Sequence, residues 1–247
     1  MQAKKVLPVL VEIFAAIAIR PSRETHPDVL SLFSSAGGWL DETAPARPTG
    51  AGLGLARSQA VALALRAETP CVMYCDGDRA LHWGQFYPRE LAEVVCRLNE
   101  ADFTILGRTA RAFNTHPQVQ RDTEAIINRV FKLVSGWDWD VGAGARGLSR
   151  RAAEAILAGC RDENLSNDVS WPLFLRAQGG FSISQILADG LEFETPDRFD
   201  AEVAAAGGRE AWVEQFDADP ARWLARLELA RGHLQAMMTF IGSQRPM

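Results

Sequence analysis

The sequence predicts an α/β protein in which a mostly parallel sheet is flanked by helices and followed by a C-terminal helical extension. Two short apolar runs, residues 14–19 and 71–75, each lead directly into polar residues, as buried parallel strands do. Between such runs lie stretches with the apolar spacing of a helix, for example residues 88–99. Because strand and helix patterns alternate, we expect a sheet covered on both faces.

The elements follow one another with short connections. The predicted strands are residues 14–19, 71–75, 103–106 and 181–183. The predicted helices are residues 26–35, 55–67, 88–99, 117–134, 149–158, 170–178, 209–216 and 221–241. Residues 41–54 and 137–146 show neither period and are predicted as loops. Gly207-Gly208 marks a change in composition, so we predict a domain of residues 1–206 and an extension of residues 207–247.

Composition narrows the classes of function. The chain has 247 residues and a net charge of -5, which does not favour a nucleic-acid binder that depends on phosphate neutralisation. Its four cysteines lack paired C-x-x-C spacing, so we expect free thiols. The apolar run of residues 6–19 is interrupted by Pro8 and Glu12 and is too short to span a bilayer. We therefore expect a cytoplasmic protein without a transmembrane segment.

The sharpest motif is Asp76-Gly77-Asp78, directly after the predicted strand 71–75. Two carboxylates at this spacing can converge on a divalent cation, Mg²⁺ or Mn²⁺, that also holds a diphosphate. Such a cation would stabilise the charge of a departing nucleoside diphosphate. The alternative is an ordinary turn, in which Asp and Gly are common. The position favours a ligand site, because ligands of α/β sheets bind at the carboxyl ends of strands.

A glycine-rich segment precedes the helix predicted at residues 55–67. Gly50-Ala-Gly-Leu-Gly54 resembles a dinucleotide-binding fingerprint, but no strand immediately precedes it, so a Rossmann domain is not favoured. As a loop at a helix N-terminus it can approach phosphates, with Arg57 as a charge partner. The alternative is a flexible connection with a solvated Arg57.

Several further motifs occur in a recognisable order. They are Pro21-Ser-Arg-Glu24, Ala56-Arg57, Tyr74-Cys-Asp-Gly-Asp78, Gly107-Arg108, Asp140-Val-Gly-Ala-Gly-Ala-Arg146 and Asn167-Asp168. Together they resemble family-2-like GT-A glycosyltransferases over roughly residues 13–190. The chain departs from that pattern in two places. The family's second strand with its acidic residue is compressed here into residues 38–42, where Asp41 would contact the nucleobase or the ribose. The family's late acidic pair reads Asn-Asp in this chain.

The resemblance implies a GT-A fold and a metal-dependent transfer of a sugar from a nucleotide-diphosphate donor to an acceptor hydroxyl. It implies Asp168 as the catalytic base, whose alternative role is a favourable charge at a helix N-terminus. The implied metal ligands are Asp76 and Asp78. The implied substrate-binding residues are Pro21, Ser22, Glu24, Arg57, Asp76, Arg108, Trp137, Asp138, Trp139, Asp140 and Arg146. The tryptophans and their aspartates would form an acceptor pocket, although tryptophan is more often a core residue.

Other polar residues have a functional and an ordinary interpretation. His82 and His116 are candidates for a third metal ligand, or else surface histidines. Arg108, Arg111 and Arg121 flank a loop that can close over a diphosphate or an acidic acceptor, or else are solvated.

Two other functions and one assembly are consistent with the sequence. A sugar-1-phosphate nucleotidyltransferase shares this architecture but usually opens with a G-x-G-x-R loop, where this chain has Arg20-Pro21-Ser22. A non-catalytic nucleotide-sugar-binding protein is the second alternative, because fold does not fix function. The apolar stripe of residues 221–241 must be covered. Of its own domain, a membrane surface and a second subunit, we favour the last, a homodimer.

Overall fold

The computed structural model describes residues 2–23, 25–41 and 52–241. The helices are α1 (Gln2–Ile13), α2 (Pro27–Ser35), α3 (Leu53–Ala64), α4 (Gly77–Phe86), α5 (Pro88–Arg97), α6 (Ala110–Asn114), α7 (Gln118–Ser135), α8 (Arg150–Gly159), α9 (Asn167–Gln178), α10 (Asp200–Ala206), α11 (Arg209–Asp217) and α12 (Pro220–Met238). The strands are β1 (Ala18–Ile19), β2 (Trp39–Leu40), β3 (Cys71–Cys75), β4 (Phe103–Arg108), β5 (Ala145–Ser149) and β6 (Ile183–Ala188). The predicted α/β class is confirmed.

The main sheet has mixed strand directions. Its strand order is β3-β5-β4-β6, in which β5 is antiparallel to both β3 and β4, while β4 and β6 are parallel. Strands β1 and β2 pair in parallel as a separate two-stranded sheet. The prediction of a mostly parallel sheet is therefore wrong.

The difference comes from β5, which occupies part of a glycine-rich stretch that we predicted as irregular. Residues 145–148 are buried between two strands. Gly147 has a physical role here, because a Cβ atom at this position would lie 2.5 Å from the Leu98 side chain. Its missing side chain lets a leucine pack onto the sheet, so a residue with low strand propensity lies inside a strand.

Helix ends were easier to predict because the capping signals are local. Helix α7 ends at Gly136, which has a left-handed φ of 80°. Helix α12 begins at Pro220, and the Asp219 side chain accepts a hydrogen bond from the amide of Ala221. Helix α9 begins three residues before the predicted start, so Pro172 lies inside the helix and not in its first turn.

The N-terminal segment differs from the prediction. Only Ala18–Ile19 of the predicted strand 14–19 pairs as a strand, and a helix that we did not predict, α1, precedes it. Its buried face includes Val6 and Leu10, which pack against α4 where Gly84 leaves room. A Cβ atom on Gly84 would lie 2.7 Å from Val6. The apolar N-terminal residues thus bury themselves on a neighbouring helix.

Helix α12 belongs to the packed interior on one of its faces. Ala230 and Met237 are buried in the same core cluster as Phe131 of α7 and Leu175 of α9. Other positions of α12 expose apolar side chains such as Leu227 and Met238. In the described part of the chain, every helix is too short or too polar to cross a membrane.

The sheet places several loops at one edge. Since β3, β4 and β6 run in the same direction, their carboxyl ends lie together, and β5 starts at that edge. The amide of Asp76 donates to the carbonyl of Gly144 over 3.3 Å, and the amide of Thr109 donates to that of Ala188 over 3.2 Å. Asp76, Arg108 and the segment after β6 therefore surround one region.

Candidate functional site

Asp76 directly follows β3 and precedes the first turn of α4. Its side chain is 37% exposed, and its two oxygens have different partners. Tyr74 donates its hydroxyl proton to one oxygen, and an Arg57 nitrogen lies 3.0 Å from the other. Gly144 is required beside it, because a Cβ atom there would lie 2.6 Å from an Asp76 oxygen. The carboxylate is thus oriented from three sides while one part faces solvent.

Arg57 is the centre of the cluster. It is buried on α3, and its guanidinium group lies 3.0 Å from Asp76 and 3.0 Å from Asp168. The same group donates to the side-chain oxygen of Asn167 over 2.8 Å. The alternative of a solvated arginine is excluded by this geometry. The pair Asn167-Asp168 and Asp76, which are far apart in sequence, thus meet at one residue.

The first turn of α3 does not present all its amides to a ligand. The amide of Leu55 donates to the carbonyl of Glu163 over 3.1 Å. Gly54 contacts the same segment so closely that a Cβ atom would lie 2.1 Å from the Asn164 carbonyl oxygen. The described part of the glycine-rich segment therefore serves close packing. Gly50 and Ala51 lie outside the described residues.

Asp168 lies in the first turn of α9, where two buried arginines hold it. Besides Arg57, the Arg146 guanidinium group lies 3.1 Å from the Asp168 carboxylate, and His233 of α12 lies 3.9 Å from its second oxygen. Burial opposes ionisation of Asp168, but the positive charges of Arg57 and Arg146 outweigh it and hold its pKa well below its usual range. Asp168 is consequently an ionised carboxylate with low basicity in this arrangement.

Asp78, the second acid of the motif, has one backbone partner and one exposed side-chain partner. One oxygen accepts a hydrogen bond from the amide of Arg79, and the other lies 3.2 Å from Arg198, an exposed side chain. Exposed ion pairs contribute little, so this contact can be exchanged for another cation.

The fit of a divalent cation depends on this donor set. Among the described residues, no group of three histidine, cysteine or acidic side chains is arranged to hold a metal by itself. Mg²⁺ is commonly held by one or two carboxylates together with substrate phosphates. Asp76 and Asp78 fit that second mode, with phosphate oxygens as the remaining ligands.

Arg108 and Asp140 belong to a second buried charge network. Arg108 at the end of β4 donates to both carboxylate oxygens of Asp140, each over 2.7 Å, and lies 2.5 Å from Glu124. Glu124 in turn pairs with Arg226 of α12 over 2.5 Å. Burial opposes the charge on Asp140, but Arg108 outweighs it and holds the pKa of this carboxyl well below its usual range.

The four residues expected to line an acceptor pocket point to three different places. Trp137 and Trp139 stack on each other with ring centroids 4.7 Å apart. Asp138 is 79% exposed and pairs with Lys132 on the surface. Asp140 points inward to the Arg108 network. The structure thus separates these side chains and does not bring them together around one cavity.

The residues that follow β1 make contacts with one another and with α3. The amide of Ser22 donates to the Thr25 hydroxyl over 3.0 Å, and Pro21 is buried. Asp41 lies 3.7 Å from Arg20, which also donates to Gln59 of α3 over 2.8 Å. Glu24 lies outside the described residues.

The other candidate residues, His82, Arg111 and Arg121, have partners within the protein. His82 is buried, with its two ring nitrogens 2.6 Å from Asp197 and 3.2 Å from Glu192. Arg111 also pairs with Glu192, over 2.5 Å, and Arg121 donates to the Asn114 carbonyl over 3.1 Å. The charge of Arg111 is thus balanced within the chain, whereas Arg121 bonds to a neutral carbonyl.

Sequence reasoning missed several residues of these clusters. They are Tyr74, Arg79, Glu124, Asn167, Glu194 and His233. Three of them had a detectable signal, because Tyr74 opens the acidic motif, Arg79 directly follows it and Asn167 is half of the late polar pair. The others come from helices α7 and α12 and from the segment after β6, where only the fold shows their position.

Comparison with known proteins adds no family. No protein-family model, no curated protein and no solved structure matches the chain.

Proposed function

We propose that the chain is a metal-dependent glycosyltransferase with a GT-A-type fold, which moves a sugar from a nucleotide-diphosphate donor to an acceptor hydroxyl. One observation carries the proposal. Arg57 joins Asp76 to Asp168 at the edge where the carboxyl ends of β3, β4 and β6 meet. Those three residues come from separate motifs, and their convergence is what a single ligand site needs.

The charges of the cluster support a diphosphate ligand. Two buried guanidinium groups, Arg57 and Arg146, lie behind the partly exposed carboxylate of Asp76. When bound by Asp76 and Asp78, Mg²⁺ or Mn²⁺ would supply a Lewis acid for the departing diphosphate. Arg57 and Tyr74 hold Asp76 in one orientation before a ligand binds.

Asp168 is the proposed catalytic base, and its environment defines what that role requires. A carboxylate with a depressed pKa is a weak proton acceptor, so one arginine contact must loosen when the acceptor hydroxyl approaches. Arg57 is the candidate for this movement, because it also contacts the partly exposed Asp76, whereas Arg146 is 1% exposed and bonded to the backbone carbonyls of residues 141 and 145. Ligand binding at Asp76 would thereby increase the basicity of Asp168.

The residues proposed to contact the acceptor do not share one pocket. Arg108 and Asp140 shape the floor of the same edge, while the stacked Trp137 and Trp139 offer an aromatic surface farther along the chain. Tryptophan faces commonly pack on sugar rings, which is why we keep them as candidate contacts. A cytoplasmic location goes with the use of nucleotide sugars.

One assay separates the proposal from its alternatives. Purified protein is incubated with a panel of nucleotide sugars and acceptor extracts, with and without Mn²⁺, and the products are identified by mass spectrometry. A glycosyltransferase releases a nucleoside diphosphate in the presence of the metal, by transfer or slow hydrolysis. A nucleotidyltransferase instead forms a nucleotide sugar and diphosphate from a nucleoside triphosphate and a sugar 1-phosphate. Binding of a nucleotide sugar with no turnover would leave the non-catalytic protein as the answer.

A further inference from the structure

Buried polar atoms without a partner are concentrated next to the acidic motif. Among the described residues, nine buried side-chain nitrogen or oxygen atoms have no hydrogen-bond partner within the protein. Four of them belong to neighbouring residues at the carboxyl edge of the sheet, namely Arg79 Nη1, Arg108 Nη1, His116 Nε2 and Glu194 Oε2. An unpaired buried polar group costs about 1–3 kcal/mol, so such a concentration is unusual in a native interior.

Contacts and charge effects show that the four groups are close together. Arg79 lies 3.3 Å from Glu194 through its other nitrogen, Nε. The His116 ring packs on Phe193, the neighbour of Glu194, with ring centroids 5.3 Å apart. Burial, followed by the positive charges of Arg108 and Arg79, holds the pKa of His116 well below its usual range. All four groups therefore belong to one cluster.

The four unpaired atoms include both hydrogen-bond donors and hydrogen-bond acceptors. Nη1 of each arginine carries two N–H donors, which makes four donors in total. Nδ1 of His116 lies 3.1 Å from the Ala112 carbonyl, which can only accept, so Nδ1 carries the proton and Nε2 of the neutral ring is an acceptor. The second oxygen of Glu194 is also an acceptor. The cluster thus presents four N–H donors and two acceptor atoms.

The charges of the cluster cancel one another, and this decides whether the ligand is an ion or a neutral molecule. Three arginines and three acidic residues form its ion pairs, namely Arg79, Arg108 and Arg226 with Glu124, Asp140 and Glu194. A further ion is therefore not needed for neutrality. A hydroxyl group donates one hydrogen bond and accepts up to two, so two hydroxyl groups satisfy the four N–H donors and the two acceptor atoms together.

We propose that Arg79, Arg108, His116 and Glu194 form a binding subsite for two hydroxyl groups of a small polyhydroxylated molecule. The subsite goes beyond the proposed transferase function, because it needs neither a nucleotide nor a metal. Glu194 lies on the segment after β6, which contacts α4 through the exposed Arg198–Asp78 pair and through Asp197 beside the buried His82. A ligand reaches the four atoms when this segment moves away from α4 and these contacts break.

The test uses the full-length protein without nucleotide or metal. Binding of glycerol, myo-inositol and methyl glucopyranoside is measured by saturation-transfer NMR and titration. We expect at least one of these polyols to bind, and Glu194→Gln, which replaces the accepting oxygen by a donor, to weaken that binding at least about tenfold. Glu202→Gln, a change at an exposed position on α10, is the matched control and should bind as the wild type does.

A crystal structure of the wild-type protein with the tightest polyol keeps the test independent of whether the variant folds. We expect hydroxyl oxygens within hydrogen-bond distance of all four atoms. Ordered waters at these positions that persist in excess polyol, a polyol bound elsewhere, no binding of any polyol, or unchanged binding by a folded Glu194→Gln variant would each overturn the subsite. Because neither nucleotide nor metal is present, a chain without transferase activity can still pass this test.

Discussion

Arg57 lies between Asp76 and Asp168, with a guanidinium nitrogen 3.0 Å from an oxygen of each carboxylate. The arginine is on α3, one carboxylate directly follows β3, and the other is in the first turn of α9. A planar guanidinium group suits this bridging geometry better than an ammonium group does. The position of each acid therefore depends on the same side chain.

Removing this bridge should destabilise the protein strongly. Arg57→Ala leaves Asp168 buried beside a single arginine, and we expect a loss of about 3–5 kcal/mol in the free energy of unfolding. Arg57→Lys should lose less, because the charge remains while the fork is lost. Urea denaturation measures both. Arg129→Ala, an exposed position on α7, should change stability little. Equal effects of Arg57→Ala and the control would contradict the bridging role.

Asp78→Ala tests the metal site separately from the fold. Asp78 has an exposed partner, so its loss should leave thermal stability nearly unchanged. Without this carboxylate, the Mn²⁺-dependent affinity for a nucleoside diphosphate should be lost in calorimetry. Asp122→Ala, an exposed acid on α7, is the matched control and should bind normally. If Asp78→Ala kept its Mn²⁺-dependent affinity, this residue would not be a metal ligand.

How far the sequence predicted these features depends on whether the signal was local. The strand at 71–75 and the cap of α12 follow from adjacent residues, and the structure has both. Strand β5 was missed because Gly147 lowers strand propensity, and its place is set by pairing with β3 and β4, which are far away in sequence. The bridge from Arg57 to Asp168 likewise depends on how the helices pack, which no local pattern records.

Asp168→Asn tests the proposed base. Loss of a general base should lower turnover by about 10²- to 10⁴-fold with little change in donor affinity. Thermal unfolding of the variant must be measured alongside, because two arginines lose a charged partner. Turnover equal to the wild type would transfer the role to another carboxylate, with Asp138 and Asp140 as the next candidates.

The pH dependence of the same residue gives an independent check. Because the folded-state pKa of Asp168 is depressed, the residue stays ionised as pH falls to about 4. Its contribution to stability is present above the ordinary aspartate pKa and is lost as pH falls towards the folded value. In the free enzyme, kcat/KM should therefore show no acid limb from this group above about pH 4. An acid limb that disappears in Asp168→Asn would contradict the depressed pKa.

The expected homodimer can be tested at the exposed apolar surface shared by α7 and α12. Val130, Leu133, Val134, Met238 and Ile241 line a shallow pocket there. Leu133 is 75% exposed, so Leu133→Glu should leave the fold intact and shift a dimer towards monomer in analytical ultracentrifugation. Leu187→Glu on β6 changes another exposed leucine as a control. Sedimentation of the wild type as a monomer at all concentrations would exclude the dimer.

Gly144 and Gly136 both have a left-handed backbone conformation. Comparing alanine at the two positions therefore separates the effect of the backbone on stability from an effect on ligand binding. Gly144 has φ +61° and Gly136 has φ +80°, so alanine at either position pays about 1–2 kcal/mol for a left-handed conformation. A Cβ atom on Gly144 would lie 2.6 Å from the Asp76 carboxylate and 3.2 Å from Arg57, whereas one on Gly136 would meet no atom within 4 Å. Both variants should therefore lose similar stability through the backbone, with a further loss for Gly144→Ala as Asp76 is displaced. Only Gly144→Ala should also weaken Mn²⁺-dependent nucleotide binding in calorimetry, because only it disturbs the acid that Arg57 orients. Equal nucleotide affinity of the two variants would mean that the position of Asp76 beside Gly144 does not matter for the ligand.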